Sequence, residues 1–247
     1  MTFPTPDFPA EAIEAARAHA MQEYPRESCG LIVAGVYIPC ENIAANPLKD
    51  FQITDASIAA AGGSLQAIIH SHPLDNGEDP ANSPYPSAED MRGQMDFACI
   101  WGIIPCNKNE AQPPIFWGDY RLEEKLIGRI FIPGVSDCYT LIRSWFWQDR
   151  KILLPEFARD DQWWEKGEDL YRTQFTAAGF RAITEAEARP GDVFIGRVKS
   201  KIPNHGGVLF ERGQGLHHLQ GRLSRREAIG PWAKFITHWL RYEGNLA

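Results

Sequence analysis

Short apolar clusters alternate with charged, proline-rich connections along the chain, and their periods predict most of the elements. Ala10 to about Gln22 places an Ala/Ile face at helical spacing behind Asp7 and Pro9, which predicts a first helix. Leu31–Val33 and Val36–Ile38 flank Ala34-Gly35 and predict a hairpin. The run "LQAIIH", Leu65 to His70, is too short for a helix and predicts a buried strand ending at histidines. Pro86-Ser87 opens a helix through about Phe97, and "ACIWGIIP" predicts another buried strand. This alternation describes an α/β unit ending near Gly118.

The next stretch, "DYRLEEKLIGRIFIPGVSD", is charged and closes on a Pro-Gly turn, so a domain boundary is expected within about residues 119–130. We divide the chain into 1–120 and 121–247. Beyond the boundary, Leu141, Ile142, Trp145 and Phe146 recur at helical spacing from Cys138 to Arg150. Trp163, Trp164, Leu170, Tyr171 and Phe175 predict a second helical face, stopped at Gly179. The tail reads as short strands, "VFIGRV", "GGVLFE", "LHHLQ" and "FITHWLRY", separated by turns such as "ERGQG". Helices first and strands afterwards make the second unit α+β.

Composition narrows the class. Among 247 residues, 44% are hydrophobic and 23% charged, the balance of a globular protein. A formal net charge of −7 argues against nucleic acid as a partner. Five cysteines at irregular spacing do not form a disulfide framework, and synthesis in a reducing cytoplasm is expected. The first residues lack a basic stretch followed by an apolar run, so no signal peptide is expected, and no run of 18 apolar residues predicts a membrane span.

Two constellations carry candidate chemistry. On a strand, residues i and i+2 face the same way, so His70 and His72 can enter one site. A helix starting after Ser87 can return Asp90 toward the strand end as a third ligand. Two nitrogens and one carboxylate with an open position suit a catalytic zinc. Ser87-x-x-Asp90 is equally a helix-capping pattern, and a Ser held by a cap can still present its hydroxyl to a reacting oxygen. Glu27, in "YPRESCGLI", is placed as a base for water, with a turn or surface role as the alternative. The order Glu27, "HSHP", "PSAED" resembles the JAMM (MPN-type) metalloprotease motif. The resemblance implies Zn2+ on His70, His72 and Asp90, Glu27 as general acid/base and Ser87 as oxyanion stabiliser. The spacing departs from that pattern: fourteen residues separate His72 from Ser87. "LDNGEDPANSPYP" reads as an insertion able to bulge outward or cover the site.

In the second constellation, Cys138 stands at a helix start behind Ser136 and Asp137 as possible caps. There the helix dipole favours a thiolate. Cys29, Cys40, Cys99 and Cys106 read as inert buried thiols. His205 and His217 flank a Gly-rich turn, so a hairpin sets them on neighbouring strands, the first as base and the second orienting it. His218 faces the other way and reads as structural, and "DDQWWEKGEDLY" reads as core and lid. The pattern Asp-Cys-x-x-Leu, "RPGDVFI", Asn-His-Gly-Gly-Val and His217 resembles the NlpC-type cell-wall peptidases. That resemblance implies a papain-like Cys-His-His endopeptidase acting on peptidoglycan stem peptides, with Cys138, His205 and His217 as its triad.

The two patterns in this order, with the wording "GRIFIPGVSDCYTLIRSWFW", resemble the tail assembly protein K family of lambda-like phages. The resemblance implies other phage tail-tip proteins as partners, manufacture in the host cytoplasm, and action at the host cell wall from the virion. A bacterial hydrolase unrelated to phage, and a structural tail-tip subunit with relic sites, are the alternatives.

Overall fold

The computed structural model describes residues 6–75, 77, 82–97 and 99–244. The chain divides into two compact units, Met1–Tyr120 and Arg121–Ala247. Among the described residues, no helix is long and apolar enough to cross a membrane.

The first unit runs α1 (Ala10–Glu23), β1 (Cys29–Val33), β2 (Val36–Cys40), α2 (Asp55–Ala61), β3 (Leu65–Pro73), α3 (Ala88–Asp96), β4 (Ile100–Cys106) and β5 (Ile115–Trp117). Its five-stranded sheet has the order β2-β1-β3-β4-β5. The β1–β2 turn needs left-handed backbone at both central residues, Ala34 (φ 49°) and Gly35 (φ 79°), which matches the twist of a two-residue hairpin. β3 and β4 are parallel, with α3 between them in the chain, and all seven residues of β4 are buried, as a strand covered on both faces requires. Ala12, Ala16 and Ala20 form the buried stripe of α1 and pack with Ile32, Ala67, Ile69 and Ile104 on one face of the sheet. By alternation along β3, His70 and His72 face the other side. β3 does not end at the histidines; it continues to Pro73 because each residue through Pro73 pairs with β4, the last against Cys106. β1 likewise begins at Cys29, two residues before the apolar run, with Cys29 set against His70.

The second unit contains α4 (Cys138–Arg150), α5 (Leu170–Gln174), β6 (Phe180–Ile183), β7 (Val193–Gly196), β8 (His205–Phe210), β9 (Gln214–His217), β10 (Arg225–Ala228) and β11 (Ile236–Tyr242). The strands form an antiparallel sheet of order β10-β9-β8-β7-β11-β6. Leu141, Ile142, Trp145 and Phe146 of α4 pack with Val193, Ile195, Val208, Leu216 and Leu240. The helical face expected from Trp163 to Phe175 is broken in two. Trp163–Lys166 make a single tight turn that ends at Gly167 (φ 84°), and Asp169 caps a separate five-residue helix through the Arg172 N–H. A left-handed residue followed by a new cap outweighs the apolar spacing. The edge strands β6 and β10 escape the hydrophobic pattern, and "RREA" of β10 is mostly exposed.

β8 approaches β9 closely because Gly207 lies opposite His217. A Cβ at Gly207 would stand 2.5 Å from the Leu216 carbonyl oxygen and 2.9 Å from His217 Cβ. Gly207→Ala is therefore expected to destabilise the second unit by about 1–3 kcal/mol, read by denaturant unfolding. An unchanged midpoint would contradict the close strand packing.

Candidate active sites

In the first unit the rear of the sheet brings five sequence-predicted residues together. Glu27 precedes β1, His70 and His72 lie on β3, and Ser87 and Asp90 open α3. His70 Nε2 is 3.0 Å from His72 Nε2 and 3.1 Å from Asp90 Oδ1, and His72 Nε2 is 3.6 Å from Asp90 Oδ2. Glu27 Oε1 lies 4.0 Å from His72 Nε2. All four side chains are buried.

These distances test whether the donor set suits a metal. Ligand atoms held tetrahedrally at zinc bond lengths lie about 3.3 Å apart, and the two nitrogens and the Asp90 oxygens are spaced at 3.0, 3.1 and 3.6 Å. His72 Nδ1 lies 2.5 Å from the Ser83 carbonyl, to which it must donate, so Nε2 is the nitrogen that would offer its lone pair to a cation. Phe51 stacks on the His70 ring at 4.2 Å and fixes its plane. The residues fit a divalent cation.

Ser87 is at once a cap and part of the site. Its hydroxyl donates to Asp90 Oδ2 at 2.7 Å and accepts from the Asp90 N–H at 3.1 Å, while its own N–H donates to Oδ2 at 2.7 Å. The full capping box leaves Asp90 Oδ1 turned to His70. With its hydrogen committed to Asp90, Ser87 here orients the Asp90 carboxylate. Burial, together with the Asp90 and Asp50 carboxylates and against the pull of His72, raises the Glu27 pKa to about 8. Residues 76 and 78–81 of the inserted loop lie outside the described residues, but its C-terminal end touches the site twice. Ser83 holds His72, and the Asn82 side-chain N–H donates to Glu27 Oε1 at 3.0 Å. Phe51 and Asn82 carry no motif signal, since both arrive from connections whose path only the fold defines.

In the second unit Cys138 is the first residue of α4, and Asp137 is the cap, accepting from the Thr140 N–H at 2.9 Å. Arg159 locks Asp137 through a buried 2.8 Å ion pair and also binds Glu156 at 2.7 Å. Cys138 and His205 both line a cavity of about 670 Å³, with Tyr171, Trp163 and Trp164 also on its wall. The paired tryptophans thus face the cavity rather than the core alone. Cys138 Sγ lies 3.0 Å from the Tyr171 hydroxyl. His205 opens β8 and its Nε2 is 2.9 Å from His217 Nδ1 on β9. His217 Nε2 continues to Glu227 Oε1 at 2.9 Å. His218, past the end of β9, is fully buried against Phe131.

The helix start does not by itself make the sulfur a thiolate. Burial, then the neighbouring Asp137 charge, pushes the Cys138 thiol up to about 11, against the pull of the Tyr171 hydroxyl and the Gly206 N–H. Burial, reinforced by His217 and His218, holds His205 down at about 3. At rest the cavity therefore holds a thiol at Cys138 and a neutral imidazole at His205. Tyr171 was placed by sequence on a helical face and Glu227 not at all. The second has no local signal, because only the β9–β10 register, with Arg225 opposite His217, carries Glu227 to the ring.

Comparison with known proteins follows the same division. Residues 9–117 match the family described as prokaryotic homologs of the JAB domain, and residues 118–241 match the NlpC/P60 family. The chain is 33% identical over 246 residues to tail tip assembly protein K of Escherichia phage N15, covering 94% of this chain and 95% of that one. It is 33% identical over 184 residues to tail tip assembly protein K of Escherichia phage lambda, covering 74% and 81%. Among solved structures, the NlpC/p60 domain of peptidoglycan hydrolase SagA aligns with 47% of this chain and 89% of that one, at 16% identity and a TM-score of 0.34.

The depressed His205 pKa has a stability consequence. The unfolded ring titrates near 6.5 and the folded ring near 3, so acid adds protons to the unfolded chain first. The second unit is expected to hold its full His205 contribution above pH 6.5 and to lose it as pH falls toward 3. Unfolding free energies at pH 5 and pH 7.5 should differ less in His205→Gln than in the wild type; equal differences would remove His205 as the cause.

Proposed function

The chain belongs to the tail tip assembly protein K family, and from that premise we propose that it is a tail-tip hydrolase that cleaves peptidoglycan stem peptides through Cys138, His205 and His217. It is made in the host cytoplasm, joins other tail-tip proteins, and acts at the host wall. What supports this reading is that Cys138 and His205 both line one cavity, with His205 held by His217 at 2.9 Å. As the sulfur attacks the peptide carbonyl, its proton passes to His205, which returns it to the amine as the C–N bond breaks; water then hydrolyses the remaining thioester, releasing the acid and restoring the thiol. The Cys138 and Tyr139 N–H groups, at the start of α4, lack intrahelical acceptors and supply dipoles for the oxyanion, while the Thr140 N–H is taken by Asp137. The cavity, with Trp163 and Trp164 on its wall, has room for an extended peptide.

For the first unit the proposal is a zinc isopeptidase-like site. His70, His72 and Asp90 would hold Zn2+, which when bound supplies Lewis acidity toward water and a carbonyl. Glu27, buried and raised to about 8, exchanges a proton with the reacting groups. Ser87 keeps Asp90 aimed at His70. Asn82 hydrogen-bonds the same Glu27 oxygen, so the inserted loop and the proton carrier are tied together.

The family name also supports a second reading, a structural subunit with silent sites, and digestion of purified peptidoglycan separates the two. Cys138→Ala is expected to abolish peptide cleavage that a thiol alkylator also stops and a chelator leaves intact. Unchanged turnover in Cys138→Ala would overturn the triad, and an inert wild type would favour the structural reading. About one zinc per chain is expected by elemental analysis, by analogy with mononuclear sites, and it should vanish in a His70→Ala/His72→Ala double variant. Native protein that takes up no metal would count against the first site.

A further inference from the structure

We propose that Glu227 is a positioning residue that sets the tautomers of both histidines in the cysteine site, leaving the His205 nitrogen on the Cys138 side free of a proton. This rests on Cys138 and His205 acting as nucleophile and base.

The argument is a count of protons. An ionised carboxylate accepts hydrogen bonds and donates none, and an indole N–H only donates. Glu227 Oε1 lies 2.9 Å from His217 Nε2 and 3.0 Å from Trp232 Nε1. It therefore accepts from both, and the His217 proton sits on Nε2. A neutral imidazole has one such proton, so His217 Nδ1 is an acceptor. His205 Nε2, 2.9 Å away, must donate to it. The nitrogen of His205 without a proton is then Nδ1, on a ring that lines the Cys138 cavity. Were His217 protonated on Nδ1 instead, His205 Nε2 would have to accept. Its Nδ1 would then carry hydrogen and offer the thiol no base.

The fold makes this arrangement hard to escape. Glu227 sits on β10, which pairs with β9 so that Arg225 opposes His217 and Glu227 opposes Gly215. Glu227 and Arg225 share a face by alternation, so the carboxylate reaches His217 diagonally across the pair. The Trp232 ring stands edge-on to His217 at 5.0 Å and holds the same carboxylate oxygen. Both imidazoles are almost wholly buried, so no water competes for their nitrogens. The remaining groups facing the pair are Cys138 with Tyr171, Asp137 and Arg159 near the sulfur, His218 near His205, and Arg222 and Arg225 near His217. None of these supplies His217 Nε2 with a second acceptor. In the step itself the S–H bond breaks and an N–H bond forms on His205 Nδ1, giving thiolate and imidazolium. Glu227 lies at the far end of the same chain and attracts that positive charge.

Two measurements on the full chain test this. Nitrogen-15 spectra of histidine-labelled wild type near neutral pH are expected to show protons on Nε2 of both His205 and His217. Site-resolved alkylation of Cys138 by iodoacetamide across pH is expected to show in the wild type a rate plateau through neutral pH, below the titration of the thiol itself, because neutral His205 takes the proton as the sulfur attacks. That plateau should fall tenfold or more in Glu227→Ala and recover in part in Glu227→Gln, whose carbonyl oxygen still accepts from Nε2. A proton on His217 Nδ1, or a Glu227→Ala profile matching wild type, would overturn the inference while leaving the nucleophile in place. A wild type with no such plateau, unaltered by His205→Ala, would instead overturn the cysteine–histidine pair and the inference with it. If Glu227→Ala fails to fold, the wild-type spectra and Glu227→Gln decide.

Discussion

Both units depend on one constraint: an imidazole taken out of water takes its chemistry from what it meets inside the protein, and in each candidate site two buried imidazoles meet one another. His70 meets His72 at 3.0 Å, and His205 meets His217 at 2.9 Å. The two contacts differ in which atoms face each other, and that difference decides the chemistry. Nε2 against Nε2, with the Asp90 carboxylate beside them, gathers three donor-capable groups around a common centre and suits a cation. Nε2 against Nδ1, with Glu227 behind, strings the rings into a line that suits movement of a proton.

The strands produce these two arrangements for geometric reasons. His70 and His72 are two residues apart on one strand, so their side chains rise from the same face and converge. His205 and His217 come from neighbouring antiparallel strands and meet side by side, which Gly207 allows by leaving no Cβ opposite His217. In each unit an acidic residue at a helix start completes the picture. Asp90 is bound into the capping box of α3 and Asp137 caps α4. A capping carboxylate is rigid because the first turn holds it, so a group whose ordinary role is to end a helix also fixes its place beside His70 or Cys138.

Much of this is legible from residue order. The α4 helix, the Ala34-Gly35 hairpin and the strand carrying His70 follow from apolar spacing and turn residues, because those signals are local. So does the choice posed by Ser87-x-x-Asp90, which the structure answers by satisfying both options through different oxygens of one carboxylate. The segment from Trp163 to Phe175 misleads, since its apolar spacing is helical while Gly167 and Asp169 divide it. β10 is invisible to a hydrophobic pattern because an exposed edge strand needs no apolar face.

By itself, then, the sequence determines two units, an α/β one and an α+β one, and names the ionisable side chains that each offers, because periodicity and motif spacing are properties of neighbouring residues. Tertiary structure alone decides which atoms of those side chains meet. Strand register brings Glu227 to His217, and the inserted loop's return brings Asn82 to Glu27 and Ser83 to His72. These contacts join residues 10, 55 and 11 positions apart. Hydrogen bonding between groups so placed is fixed by how backbones pack, which no stretch of sequence contains.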